Sequence, residues 1–223
     1  GALARALLAR GDRVTAVRRD AARLQDLARL GASPLALDLA DPASAARIPP
    51  DVEAIAAVQS PSAEGPTAYR RAYLDASRTL VSAAADRPVR ALVLTGSTGV
   101  FGQRDGGEVD ERTPPDPVGP AAEVLLDAER LVLGGGAPGI VLRLSGLYGP
   151  GRAWVVDRVR RGLLALGPGD EAWMDFCHLE DAVAAVKTAW VARYHGVGKD
   201  NHFQDLKVDG QGNVYVTGFS GGI

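Results

Sequence analysis

Arg90-Ala91-Leu92-Val93-Leu94-Thr95-Gly96-Ser97-Thr98-Gly99-Val100-Phe101-Gly102 is the stretch that decides the fold. Arg90–Thr95 is almost continuously apolar, the pattern of a strand buried on both faces. Glycines and small hydroxyl residues follow at once, and a Gly/Pro-rich loop runs from Gly96 to Pro120. On the carboxyl side, Ala121–Leu133 reads as a helix, Ile140–Leu144 as a strand and Trp154–Leu166 as a helix. Trp173–Cys177 reads as a short strand before a helix at Leu179–Val186. On the amino side, a long helix at Thr67–Ala85 follows a strand at Ala54–Val58, bounded by Gln59-Ser60-Pro61. Earlier still, strands at Arg13–Arg18 and Pro34–Leu37 alternate with helices at Ala2–Arg10 and Asp20–Leu30, stopped by Gly11 and Gly31. Asp41–Arg47 reads as a short helical turn.

Strands alternating with helices predict an α/β fold with a parallel sheet covered on both sides. Ligands of such sheets sit at the carboxyl ends of the strands. The loops in question are Arg18–Asp20, Asp38–Asp41, Gln59–Ala63, Ser97–Gly102 and Ser145–Gly151.

Composition narrows the function classes. The 223 residues are 46% hydrophobic and carry a net charge of −2, from 25 basic and 27 acidic side chains. That balance offers no nucleic-acid footprint and no polybasic membrane patch. No apolar run approaches the roughly 18 residues of a membrane span. The single cysteine, Cys177, excludes an internal disulfide framework and a multi-cysteine metal site. With Gly1 first and Met174 the only methionine, the natural start is expected to lie upstream.

A seam divides the chain. Lys187, Lys199 and Lys207 are its only lysines, and Asn201 and Asn213 its only asparagines. A domain evolving as one unit has no physical reason to exclude lysine from 186 positions. The expectation is a join near Val186, between a domain at 1–186 and a segment at 187–223; a tail of chance composition is the plain alternative.

Four segments of 1–186 resemble the extended short-chain dehydrogenase/reductases, the NAD-dependent epimerase/dehydratase family. They are Asp38-Leu39 after a strand, Leu94–Gly102, Arg143–Gly151 and His178-Leu179-Glu180-Asp181. The resemblance implies a Rossmann-like doubly wound parallel sheet, a nicotinamide dinucleotide cofactor and a small-molecule substrate. Family members open with a strand and a Gly-x-x-Gly-x-x-Gly loop, of which only Gly1 stands here, as the last glycine or the residue after it. That loop lets the backbone approach the pyrophosphate. The sheet is therefore expected to lack its first strand, between the Val14 and Ile55 strands. Roughly five buried apolar side chains at about 2 kcal/mol each put that strand's contribution on the order of 10 kcal/mol. Marginal folding and poor dinucleotide binding by the chain as it stands are the expected consequences, a typical whole-domain stability being about 5–15 kcal/mol.

The same resemblance assigns roles. Arg18 and Arg19 stand where an acidic residue would hold the ribose of NAD, and suit the 2′-phosphate of NADP instead; NAD stays the alternative, and an exposed basic strand end is the bland reading. Asp38 and Leu39 fall at the adenine, although Asp38 also suits a plain turn or cap. Ala57 and Val58 fall beside the adenosine, or simply pack. Ser97, with Thr98, falls in the substrate pocket, or simply makes a Ser/Thr turn. Tyr148 is a candidate proton donor, or a packing residue over the Gly149-Pro150-Gly151 turn. His178 and Asp181 lock a small carboxyl-terminal region onto the cofactor domain. No metal site is implied, and Cys177 packs. The family's tyrosine–lysine pair falls on Ala121 and Leu125, and no Tyr-x-x-x-Lys occurs in the chain. The loss resembles the family's atypical subgroup, and leaves open a non-catalytic NADP-binding or sensor protein.

Residues 187–223 resemble a bacterial β-propeller repeat of the SBBP type, on Trp190-Val191-Ala192-Arg193-Tyr194 and Val208–Gly218. Val214, Tyr215, Val216 and Thr217 alternate as a strand, with Asp209–Asn213 as a hairpin turn. That context would be extracellular, whereas 1–186 is expected to be cytoplasmic; a secreted repeat protein is the outlying alternative.

Overall fold

The computed structural model describes residues 1–103, 106–163, 175–194, 206–208 and 214–216. Its centre is the stretch quoted at the outset. Strand β4 (Ala91–Ser97) pairs in parallel with β3 (Ala54–Ala57) on one side and β5 (Gly139–Leu144) on the other. Alternation along β4 feeds two separate cores. Leu92 and Leu94 pack with Leu80 and Ala83 of α4 (Ala76–Ala85) and with Ala128 and Val132 of α5 (Pro120–Leu133). Ala91 and Val93 face the opposite way, onto Ala182, Ala185, Val186 and Ala189 of α7 (Leu179–Tyr194). Both faces are thus covered by helices, as the apolar run requires.

A second parallel pair is β1 (Thr15–Arg18) with β2 (Ser33–Ala36). Ala16 packs there with Leu24, Leu27 and Ala32, under Ala4 and Leu8 of α1 (Ala2–Arg10). Strands β1 and β3 are not bonded to each other, and the parallel strands form separate sheets. The interruption falls between the strands of Val14 and Ile55. A further parallel pair joins β6 (Gly146–Tyr148) to β7 (Phe176–His178). An antiparallel pair joins β8 (Leu206–Val208) to β9 (Val214–Val216).

Several boundaries differ from the pattern reading for physical reasons. The Asp20–Leu30 helix is split: Asp20 caps a 3-10 turn (Ala21–Leu24) by accepting from the Ala22 amide at 2.9 Å, and α2 (Gln25–Arg29) follows. Asp41 caps the Pro42–Arg47 turn the same way. The long helix begins at α3 (Pro66–Tyr69), becomes π-helical over Arg70–Asp75 and continues as α4. Ser145–Gly151 contains β6, too short for a periodicity to register. Helix α6 (Trp154–Arg160) ends earlier than expected. Helix α7 continues past Val186 to Tyr194. The hairpin turn expected at Asp209–Asn213 lies outside the described residues.

Candidate functional site

A gap of about 2590 Å³ lies between β1 and β3, the place where the sequence reading expects the family's first strand, and extends as one cleft to the loops that follow the strands. Apolar walls come from Val14, Ala16, Ala54 and Ala56. Arg13, whose guanidinium donates to Asp51 at 3.0 Å, lines one end. The other end opens among the loops that follow β1, β2, β3, β4 and β5. All five contribute lining residues, among them Arg19, Asp38, Ser60, Ser97 and Ser145.

Gly1, Arg18, Arg19, Asp38, Leu39, Ala57, Val58 and Ser97, assigned to the cofactor from the sequence, are among the residues that line it. Arg18 and Arg19 are exposed and have no side-chain partner among the described residues. Gly1 stands at the amino end of α1, where Arg5 donates back to its carbonyl at 3.2 Å. Asp38 is held from two sides. One carboxylate oxygen accepts from the Ala40 amide at 3.0 Å, and the other accepts from Arg71 at 2.8 Å. Ala57 is buried and Val58 is 52% exposed, an apolar surface at the strand end against which a flat ring could lie.

Ser97 caps the Thr98–Val100 turn, its Oγ accepting from the Gly99 amide at 3.1 Å. The hydroxyl proton stays available to a ligand. Beneath it, Gly96 passes so close to Glu129 that a Cβ there would sit 2.9 Å from Oε1. Glu129 is 1% exposed and takes a forked ion pair from Arg143 of β5, with Nη2 to Oε2 at 2.8 Å. The Arg143 guanidinium also lies over the Phe101 ring, 5.0 Å from its centroid. Burial holds the Glu129 carboxyl above the usual range, and Arg143 pulls it back only in part. The pair ties β5 and α5 to the loop that carries Ser97; nothing in the periodicity announces it.

Tyr148 is not brought to the cleft. Its ring meets His178 edge-on at 5.1 Å and Phe176 at 6.3 Å. His178 accepts from the Glu180 amide through Nδ1 at 3.3 Å, and its Nε2 abuts Gly149, where a Cβ would come within 2.9 Å. Gly149 has φ 127°, so glycine fits that turn on both counts. Burial and the neighbouring Asp181 carboxylate raise the Cys177 thiol, which disfavours the thiolate a nucleophile needs. Leu125 is buried with Val100 and Leu126. Tyr73, which the pattern reading did not single out, does line the cleft.

Parallel strands whose following loops gather basic, acidic and hydroxyl groups on one cleft are the family pattern, and residues 1–202 match the model of the NAD dependent epimerase/dehydratase family. The chain belongs to this family. It is 34% identical over 202 residues to a 3-diazoavenalumate denitrifying reductase of a Streptomyces species, a match covering 82% of this chain and 66% of that protein. It is 36% identical over 117 residues to protein YeeZ of Escherichia coli K12, covering 51% of this chain and 40% of the other. The chain thus spans less than two thirds of the curated relatives it matches. Among solved structures, an NAD-dependent epimerase/dehydratase from Methylobacillus flagellatus superposes with a TM-score of 0.66 at 27% identity, over 88% of this chain and 68% of that one. MoeE5 in complex with UDP-glucose and NAD gives 0.71 at 26%, over 87% and 69%. Among the described residues no helix is long and apolar enough to cross a membrane, and no cluster of histidine, cysteine and carboxylate side chains suits a metal.

Proposed function

We propose that the chain is an NADP-binding member of its family that acts on a small carbonyl compound or a nucleotide-linked sugar. One observation carries the reading: Arg18 and Arg19, at the end of β1, have no side-chain partner among the described residues and line the same cleft as Asp38, Leu39 and Val58. The arginines would hold the 2′-phosphate by charge-assisted hydrogen bonds. Leu39 and Val58 would flank the adenine, and Asp38 would accept from its ribose or amine through the lone pairs not used by Ala40 and Arg71. The amino end of α1 faces the same cleft and favours a phosphate anion. The bound nicotinamide would supply hydride transfer. On the substrate side Ser97 offers a hydroxyl donor, while Tyr148 serves the β6–β7 corner.

A non-catalytic NADP-binding or sensor protein of the same fold is the second reading. It is favoured by Leu125, a buried leucine where the family carries its lysine, and by Ala121 where it carries its tyrosine. Neither side chain transfers a proton. Cytoplasmic residence belongs with both readings. The division near Val186, with a propeller-repeat-like segment beyond it, is likewise a proposal that rests on composition, while α7 runs across it to Tyr194 and the family match extends to residue 202.

Calorimetric titration with NADP and NAD tests the cofactor assignment. NADP should bind about tenfold or more tightly than NAD, and Arg18→Gln with Arg19→Gln should erase the difference. Equal affinities in the unsubstituted chain would refute the assignment. Binding without hydride transfer over a broad carbonyl panel would favour the sensor.

A further inference from the structure

Arg87, just past the carboxyl end of α4, is half-buried and has no carboxylate partner among the described residues. Its guanidinium is spent on backbone carbonyls. Nη1 donates to Ala83 at 2.7 Å, in the last turn of α4, where carbonyls lack helical partners. Nη2 donates to Ala45 at 3.0 Å and to Ile48 at 2.7 Å, and Nε donates to Pro49 at 3.0 Å. Three of these acceptors lie in the stretch that leads out of the Asp38 loop. A planar fork is the group suited to fixing several acceptors at once.

From that stretch the ties run back to Asp38. Ala45 belongs to the Pro42–Arg47 turn, which Asp41 caps. Ser44, next to it, is 4% exposed, and its hydroxyl donates to the Asp38 carbonyl at 2.7 Å. The Asp41 amide donates to the same carbonyl at 3.0 Å. Two donors on one carbonyl fix the peptide plane between Asp38 and Leu39, and with it the directions in which both side chains leave the backbone. Leu37 and Ile48, at the two feet of the loop, are buried with Leu80 and Ala83 of α4. Apolar packing thus holds the feet, and hydrogen bonds hold the span between them.

We propose that Arg87 and Ser44 are positioning residues for the adenosine end of the cofactor. Arg87 fastens the Pro42–Arg47 turn to α4, and Ser44 passes that placement to the peptide that carries Asp38 and Leu39. The inference rests on the assignment of Asp38 and Leu39 to the cofactor. Neither Arg87 nor Ser44 lines the cleft, so each acts through the Asp38 loop and not on the ligand itself.

Calorimetry of the full chain with adenosine 2′,5′-bisphosphate, which carries the adenosine end alone, tests this in variants first shown to be folded by circular dichroism. Ser44→Ala and Arg87→Met are each expected to weaken binding about fivefold or more. In an Asp38→Ala background the same changes should cost only about twofold, because the main residue they place is gone. A tie that serves stability alone would lower the urea midpoint and leave the affinity of the folded chain unchanged. That result, or an equal loss with and without Asp38, would overturn the proposal. Should Arg87→Met not fold, Ser44→Ala, which removes a single hydrogen bond, decides by the same criteria. Absence of binding to the unsubstituted chain would sink the cofactor reading by itself. The relay is then read from hydrogen exchange of the Ala40 amide, the donor to the Asp38 carboxylate. Exchange about fivefold faster in Ser44→Ala, with the β4 amides unchanged, is expected; an unchanged rate would overturn the relay.

Discussion

Removing Arg143 probes how firmly the loop carrying Ser97 is held. Glu129 is 1% exposed, and Arg143 gives it three contacts: Nε to Oε1 at 3.2 Å, Nε to Oε2 at 3.1 Å and Nη2 to Oε2 at 2.8 Å. Arg143→Ala strips the carboxylate of its counter-charge and the Phe101 ring of its cover. Breaking a buried pair from one side costs about 3–5 kcal/mol, a large share of a domain stability of about 5–15 kcal/mol. With a urea dependence near 2 kcal/mol/M, the unfolding midpoint should fall by about 1.5–2.5 M. The pH response has a definite sign. Burial raises the folded-state pKa of Glu129, so between the ordinary carboxylate value and that raised value the folded chain holds more protons than the unfolded one. Stability from this group is therefore full below the unfolded pKa and declines as pH rises through the window, more steeply in Arg143→Ala. The double variant Glu129→Leu with Arg143→Met should recover most of the loss, because a matched apolar pair needs no counter-charge. Urea unfolding followed by circular dichroism at several pH values reads all of this. A loss below about 1 kcal/mol in Arg143→Ala, with no added pH slope, would refute the reasoning.

Other substitutions test other joints. Gly96→Ala should cost about 1–3 kcal/mol by pressing a methyl onto Glu129 Oε1, read as a lowered melting temperature. Tyr148→Phe should leave NADP affinity unchanged in calorimetry, because the ring packs on His178 and Phe176 and does not line the cleft. Cys177 should react slowly with a disulfide reagent near neutrality and faster as pH rises; Asp181→Asn removes an adjacent negative charge and should lower the thiol pKa, raising the rate severalfold at fixed pH.

How much of this was legible depends on the range over which each feature is determined. Burial of Arg90–Thr95 on both faces is written in consecutive residues, so the central strand and its parallel neighbours follow from pattern alone. The exposed arginines at the end of β1 and the aspartate after β2 are strand-end features, and their meeting on one cleft follows once the strands are known to be parallel. The extent of α7 was not legible, because a change of composition at Val186 carries no backbone signal and Ala189 still packs on β4 and β5. The Glu129–Arg143 pair joins a helix to a strand through space, which no local spacing encodes. Tyr73 was hidden for a subtler reason. Helical periodicity assumes i→i+4 bonding, and the π-helical turn rotates every residue after Arg70 out of that register. Tyr73, in that turn, packs with Val100, Leu125 and Leu126 and lines the cleft.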